Sequence, residues 1–255
     1  MSTKTRVRTR ELHQARLAAG RRRRKTKRLL VGGGGLIIVG LLVAIVISLV
    51  NVAGPGTTGD STVGTDAVAA PTTATAQGAI VVGNAGAPVT LEVYLDYMCP
   101  FCGQFERANG VELDRMLADN TVSLKLYPLS FLDNASDGTR YSTRAANAVA
   151  TVADRAPDRI VAFNNVLFAR QPAEGGPGLS DEEIGILAGN AGVPAEVVRL
   201  FADGIFEPWV AASTSAVLDT GISGTPTVKI NGKVFEGDLY TVGPLTRAVA
   251  AAKGP

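Results

Sequence analysis

The sequence predicts an α/β domain carried behind a single membrane-spanning helix. Three observations lead there. A charge-free apolar run of 22 residues, Leu29 to Val50, follows a basic tail. Apolar side chains alternate along Val89–Leu95 and again along Val122–Tyr127, the period of a strand. Around these stretches the spacing turns helical, giving the order strand, helix, strand, helical block, strand, strand, helix.

Charge divides the chain of 255 residues unevenly. Residues 1–28 hold twelve Lys or Arg and one acid, Glu11, leaving 13 basic and 22 acidic residues after position 28. A basic tail suits nucleic acid or anionic lipid, and the apolar run beside it selects lipid. Arg21–Lys25, Lys27 and Arg28 directly precede the run, so the positive-inside rule keeps residues 1–28 in the cytoplasm and exports the rest. A cleaved signal peptide competes with this reading, but the run exceeds a usual signal core and no clear small-x-small site follows it. An uncleaved anchor over 29–50 is the expectation, with the folded domain outside the cytoplasm. Residues 51–78 read as a flexible linker, since 21 of the 28 are Gly, Ala, Thr, Pro or Ser. As a coil it would span roughly 30 Å.

The folded domain is expected over 79–255. Ile80–Val82 reads as an edge strand and Val89–Leu95 as a main one. The first helix opens at Cys99-Pro100-Phe101-Cys102 and reaches about Asp119, with Phe105, Val111, Leu113 and Leu117 as its core face. A helical insertion at about 140–218 holds four stretches: Ser142–Ala153, Asp158–Ala169, Ser180–Ala191 and Ala195–Leu218. Ser180 with Glu183 forms a capping box, and Pro194 marks a further helix start. Thr227–Ile230 and Lys233–Glu236 pair through Asn231-Gly232, a hairpin signal, and Leu245–Ala252 closes the chain. Trp209 reads as packing, and Asn134-Ala135-Ser136 matches a glycosylation sequon that also arises by chance.

The chemistry lies in the only two cysteines, Cys99 and Cys102. A bridge between them closes almost no loop, so it would add little stability. Cys99 falls at a helix start, with Pro100 in the first turn where its missing N–H has no helical partner. Free N–H groups and the helix dipole favour an anion there, and a thiolate is that anion. Cys102 sits one turn later on the same face and would resolve a mixed disulfide formed at Cys99. Zinc would need four ligands, and this domain has no further cysteine and no histidine, because the single His13 lies in the tail. The same absence removes Ser/His and Cys/His hydrolase mechanisms. No metal, cofactor or nucleic-acid partner is expected. A purely structural disulfide stays open as an alternative.

Ala87-Pro88-Val89-Thr90 leading through Asp96-Tyr97-Met98 to CPFC resembles the DsbA/DsbG-like branch of the thioredoxin superfamily. So do the helical insertion, Phe163-Asn164-Asn165-Val166-Leu167-Phe168 and Gly224-Thr225-Pro226-Thr227. The last resembles the cis-proline loop of thioredoxin-fold proteins, which implies a substrate-binding role for Thr225 and Pro226. An ordinary trans proline before a strand is the alternative. The resemblance implies a thioredoxin fold with a helical insertion, dithiol–disulfide exchange with exported proteins, and recharging by a membrane partner of the DsbB or VKOR type. It departs from the strongly oxidising members in having Phe101 rather than histidine between the cysteines. Val93 stands where an acid is common, with Glu92 on the opposite face of the strand. Thr225 before the proline is similar to isomerase and reductase members. Asp96 reads equally as an influence on the thiols or as a solvated turn residue.

Three functions follow. The favoured one is an extracytoplasmic oxidase of exported protein thiols, acting as a monomer because the linker stands where isomerases carry a dimerisation domain. The second is a disulfide reductase or isomerase on the same fold. The third is a membrane-tethered peptide-binding chaperone with a vestigial redox site.

Overall fold

The computed structural model describes residues 68–254. The tail over 1–28, the expected membrane helix over 29–50 and most of the expected linker lie outside the described residues. Among the described residues, no helix is long and apolar enough to cross a membrane.

Strand β1 (Ile80–Val82) is short, β2 (Val89–Leu95) and β3 (Val122–Pro128) are long, and β4 (Thr227–Ile230) and β5 (Lys233–Val234) form the late hairpin. They make one mixed sheet in the order β1-β3-β2-β4-β5. β2 runs parallel to β3 and antiparallel to β4, so it sits at the centre with its end among neighbouring loops. Parallel pairing demands a crossover, which helix α1 (Pro100–Ala118) supplies. The alternation legible in β2 has its cause in this register. Val93 is buried between Leu126 and Val228, whereas Glu92 lies between Lys125 and Lys229 on the other face. Asn231 and Gly232 both take positive φ, 48° and 80°, as the tight primed turn requires. β5 is shorter than expected and ends at Val234.

The insertion is mainly helical, with a loop over 171–180: α2 (Tyr141–Arg155), α3 (Ile160–Ala169), α4 (Asp181–Asn190), α5 (Ala195–Val198) and α6 (Glu207–Asp219) precede β4, and α7 (Pro244–Lys253) follows β5. The capping box forms as expected, with Ser180 Oγ accepting from Glu183 N–H and the Glu183 carboxylate accepting from Ser180 N–H. Two expectations need correcting. The stretch 195–218 is not one helix. It breaks at Gly204, in the left-handed region at φ 61°, and restarts at α6 with Pro208 in the first turn, where proline fits and mid-helix it does not. Val111 is 81% exposed, because α1 turns its buried face through Phe105, Leu113 and Met116.

The domain also begins earlier than expected. Pro71 is buried, Thr72 N–H donates to Asp154 Oδ1 at 2.9 Å, and Ala74 bridges Ile80 antiparallel. Residues 71–78, assigned to the linker from composition, therefore pack on the domain. Gly78 makes this approach feasible: it has φ 83°, and a Cβ there would lie 2.5 Å from Ser213 Oγ. Trp209 is buried in the core, as its reading as a packing residue implies.

Candidate active site

β2 ends at Leu95, and after three intervening residues, Asp96 to Met98, the chain enters α1 with Cys99 as its N-cap. Asp96 shapes the intervening turn. Its backbone carbonyl accepts from Cys99 N–H at 3.0 Å, and its Oδ1 accepts from Met98 N–H at 2.8 Å. Cys99 is extended (φ −71°, ψ 116°) and offers no side-chain cap, so its sulfur is free to face the helix start. Its carbonyl accepts from Cys102 N–H at 3.0 Å and Gly103 N–H at 3.3 Å. The Thr225 carbonyl lies 3.3 Å from Cys99 Sγ, and the Thr225–Pro226 bond is cis. Residues separated by 126 positions are thus in contact at this point.

Both cysteines are free thiols, and they are unequal. Cys99 retains 5% of its surface and Cys102 none. The Cys102 thiol beside Cys99 holds the latter's pKa down at about 6, helped by the Thr225 side chain and by the Cys102 and Phe101 N–H groups, against the opposing effect of burial. Burial pushes the Cys102 thiol well above its ordinary value, and a neighbouring Cys99 thiolate adds to the rise. Phe101 is 54% exposed and its ring leans towards Tyr240, with centroids 5.9 Å apart. Its contribution to the thiolate comes from its backbone N–H.

A buried carboxylate, Asp96, precedes this pair and a half-buried one, Glu106, follows it on α1. Asp96 is fully buried rather than a solvated turn residue. Its Oδ1 also accepts from Ser142 Oγ at 2.7 Å, and its Oδ2 from Leu132 N–H at 2.9 Å. Burial raises its pKa to about 6 against these hydrogen bonds. Glu106, on α1 beyond Cys102, is pushed up to about 7 by burial and by Asp114, while Asn164 Nδ2 donates to its Oε1 at 3.2 Å. Val93 and Glu106 line one cavity, so a carboxylate from α1 reaches the space that the β2 position leaves apolar. Gln171, just past the end of α3, donates to the carbonyls of Tyr97 and Cys99. Sequence reasoning named Asp96 without its burial and passed over Glu106, Gln171 and Tyr240. Among the described residues, no group of three or more His, Cys, Asp or Glu is placed to hold a metal ion.

A dithiol with one depressed and one elevated pKa, at a helix start beside a cis-proline loop, together with this fold, defines the class of the protein thiol–disulfide oxidoreductases. The thioredoxin family model matches residues 75–243, about two thirds of the chain, and the protein belongs to that family. Its structure is similar to that of the reduced disulfide bond oxidoreductase DsbG of Mycobacterium tuberculosis (27% identity, TM-score 0.61, covering 69% of this chain and 88% of that one). It is similar also to oxidised DsbA of M. tuberculosis (27%, TM-score 0.61, 69% and 93%). A third similar structure is MdbA, a thiol-disulfide oxidoreductase of Actinomyces oris (25%, TM-score 0.63, 73% and 93%). In sequence, 129 residues, 49% of the chain, are 31% identical to the serine/threonine-protein kinase PknE of M. tuberculosis, and the match covers only 23% of that kinase.

Proposed function

We propose that this protein is a membrane-anchored oxidase that introduces disulfides into exported proteins through Cys99 and Cys102. The observation that carries the proposal is the inequality of the two thiols. A substrate thiolate attacks Cys99 Sγ of the Cys99–Cys102 disulfide. The S–S bond breaks, a mixed disulfide forms, and the Cys102 sulfur leaves and takes a proton. The second substrate thiolate then attacks its own sulfur in the mixed disulfide and expels Cys99. The substrate loses two electrons and two protons, and the protein's pair becomes a dithiol. A Cys99 pKa near 6 makes Cys99 a good leaving group at neutral pH, which supports this direction. Thr225 and Pro226 would hold an extended substrate beside Cys99 by backbone pairing. A membrane oxidant of the DsbB or VKOR type would accept the two electrons and restore the disulfide. The basic tail and apolar run support an uncleaved anchor with the domain outside the cytoplasm.

Thr225 before Pro226 and the similarity to DsbG favour a second reading, an isomerase or reductase on the same site. Both readings pass the exchange through the Cys99 sulfur, which is attacked in the oxidase and attacks in the reductase, and trapping tests that shared role. Cys102→Ser is expected to accumulate mixed disulfides with exported proteins, and Cys99→Ser to accumulate few. Equal trapping by the two variants would remove the division of labour.

A further inference from the structure

Gln171 leaves the last turn of α3, with its N–H on the Phe168 carbonyl, and reaches back to the thiol site. Its Nε2 donates to the Cys99 carbonyl at 2.8 Å and to the Tyr97 carbonyl at 3.1 Å. A primary amide nitrogen has two N–H donors, and both are spent on this one turn. The other end of the amide, Oε1, occupies the space above Gly103, and a Cβ at 103 would collide with it. Gly103 lies inside a helix, where glycine is unfavourable relative to alanine, and its φ is not positive. The reason for glycine there is room for the Gln171 side chain. The rest of the turn is held by the same helix. The Tyr97 ring packs on Phe168 with centroids 4.9 Å apart, and Tyr97 Oη donates to Asn164 Oδ1 at 3.0 Å.

We propose that Gln171 is a positioning residue of the redox site, clamping the Tyr97–Cys99 turn through its amide, with Gly103 as the seat that admits it. This rests on the reading of Cys99 as the sulfur that exchanges with substrate. Two physical effects follow. The amide fixes the turn that sets the Cys99 sulfur beside the Phe101 and Cys102 N–H groups, which favour its thiolate. Its N–H dipoles also offset the negative ends of two carbonyls close to the thiolate. Both effects favour the thiolate, and so the reduced form of the pair.

The test is the pH midpoint of Cys99 alkylation in the reduced full chain, read at that residue by mass spectrometry. Gln171→Met keeps a similar side-chain volume and loses both donors. Gly103→Ala keeps the amide and removes its seat. The titratable groups facing Cys99 are Cys102 on α1, Asp96 after β2 and Tyr240 before α7, and neither substitution adds or removes a charge. Both variants are expected to raise the midpoint by about one unit, roughly a tenfold loss of thiolate below the midpoint. They should shift the reduction potential downwards together. A folded variant with a wild-type midpoint, even one of lower stability, overturns the proposal by showing that the contact is only structural. If Gln171→Met does not fold, Gln171→Asn, one methylene too short to reach both carbonyls, is read in the same way. A measurement on the wild type needs no substitution: the Gln171 side-chain N–H resonances should be protected from exchange and should shift with Cys99 ionisation. Rapid exchange with no such shift also overturns it. If the wild type fails to oxidise substrate thiols, the functional reading falls, while the midpoints still decide the role of Gln171.

Discussion

At the scale of single residues, the site depends on where ionisable groups are buried. Cys99 and Cys102 were legible because a helix start and a spacing of three are local properties of the chain. Asp96 was not, because its donors Leu132 and Ser142 lie 36 and 46 residues away. Gln171 gave no local signal either, since its partner Cys99 is 72 residues distant. Glu106 provides a direct measurement. Its pKa rises from 4.5 to about 7 on folding, so the fold favours the protonated form. That contribution is fully present below about pH 4.5 and is lost as pH rises through 7. Glu106→Gln keeps an acceptor for Asn164 and cannot ionise. It is expected to be more stable than wild type at pH 8 by about 2–3 kcal/mol, from the size of the shift, and nearly equal at pH 4. Denaturant midpoints of the reduced protein at the two pH values check this. A difference independent of pH would show that Glu106 titrates normally in the fold.

At the scale of elements, periodicity gave β2, β3 and α1 because each turns a regular set of apolar residues into the main core and has neighbours that fix its register. It failed where a local breaker competes with a helical pattern, as at Gly204 and Pro208. It failed also at Val111, where an apolar residue sits on the solvent face and hydrophobicity alone misplaces it. Residues 71–78 were misread for the converse reason: their composition is that of a linker, yet their backbone pairs with the domain. Two substitutions on α1 separate the faces. Leu113→Ala, at a position 6% exposed, is expected to cost about 2–4 kcal/mol through lost burial and a residual cavity. Val111→Ala should stay within about 0.5 kcal/mol. Equal losses in chemical denaturation would mean that α1 is rotated relative to this structure.

At the scale of the whole molecule, the helical insertion does more than enlarge the core. α2 supplies the Ser142 hydroxyl to Asp96, and the end of α3 supplies the Gln171 amide to the Tyr97–Cys99 turn. The sheet delivers Thr225 from the other side. The proposed redox site is therefore built where β2, the insertion and the β4 loop converge, and the sequence order alone conveys the architecture without these cross-contacts. The proposed anchor and linker would hold this site near the membrane, within reach of both exported chains and a membrane oxidant. The central claim is that the Cys99–Cys102 pair is poised to oxidise, because the fold stabilises the Cys99 thiolate and hence the dithiol. Its most direct test is the reduction potential of that pair in the full chain, measured by equilibration with glutathione. A Cys99 pKa of about 6 falls between those of thioredoxin, about 7, and the strong oxidant DsbA, about 3.5. The expected potential, interpolated between thioredoxin at about −270 mV and DsbA at about −120 mV, is about −230 mV, less reducing than thioredoxin. A value at or below that of thioredoxin, or a pair that does not exchange with glutathione, would contradict the oxidase.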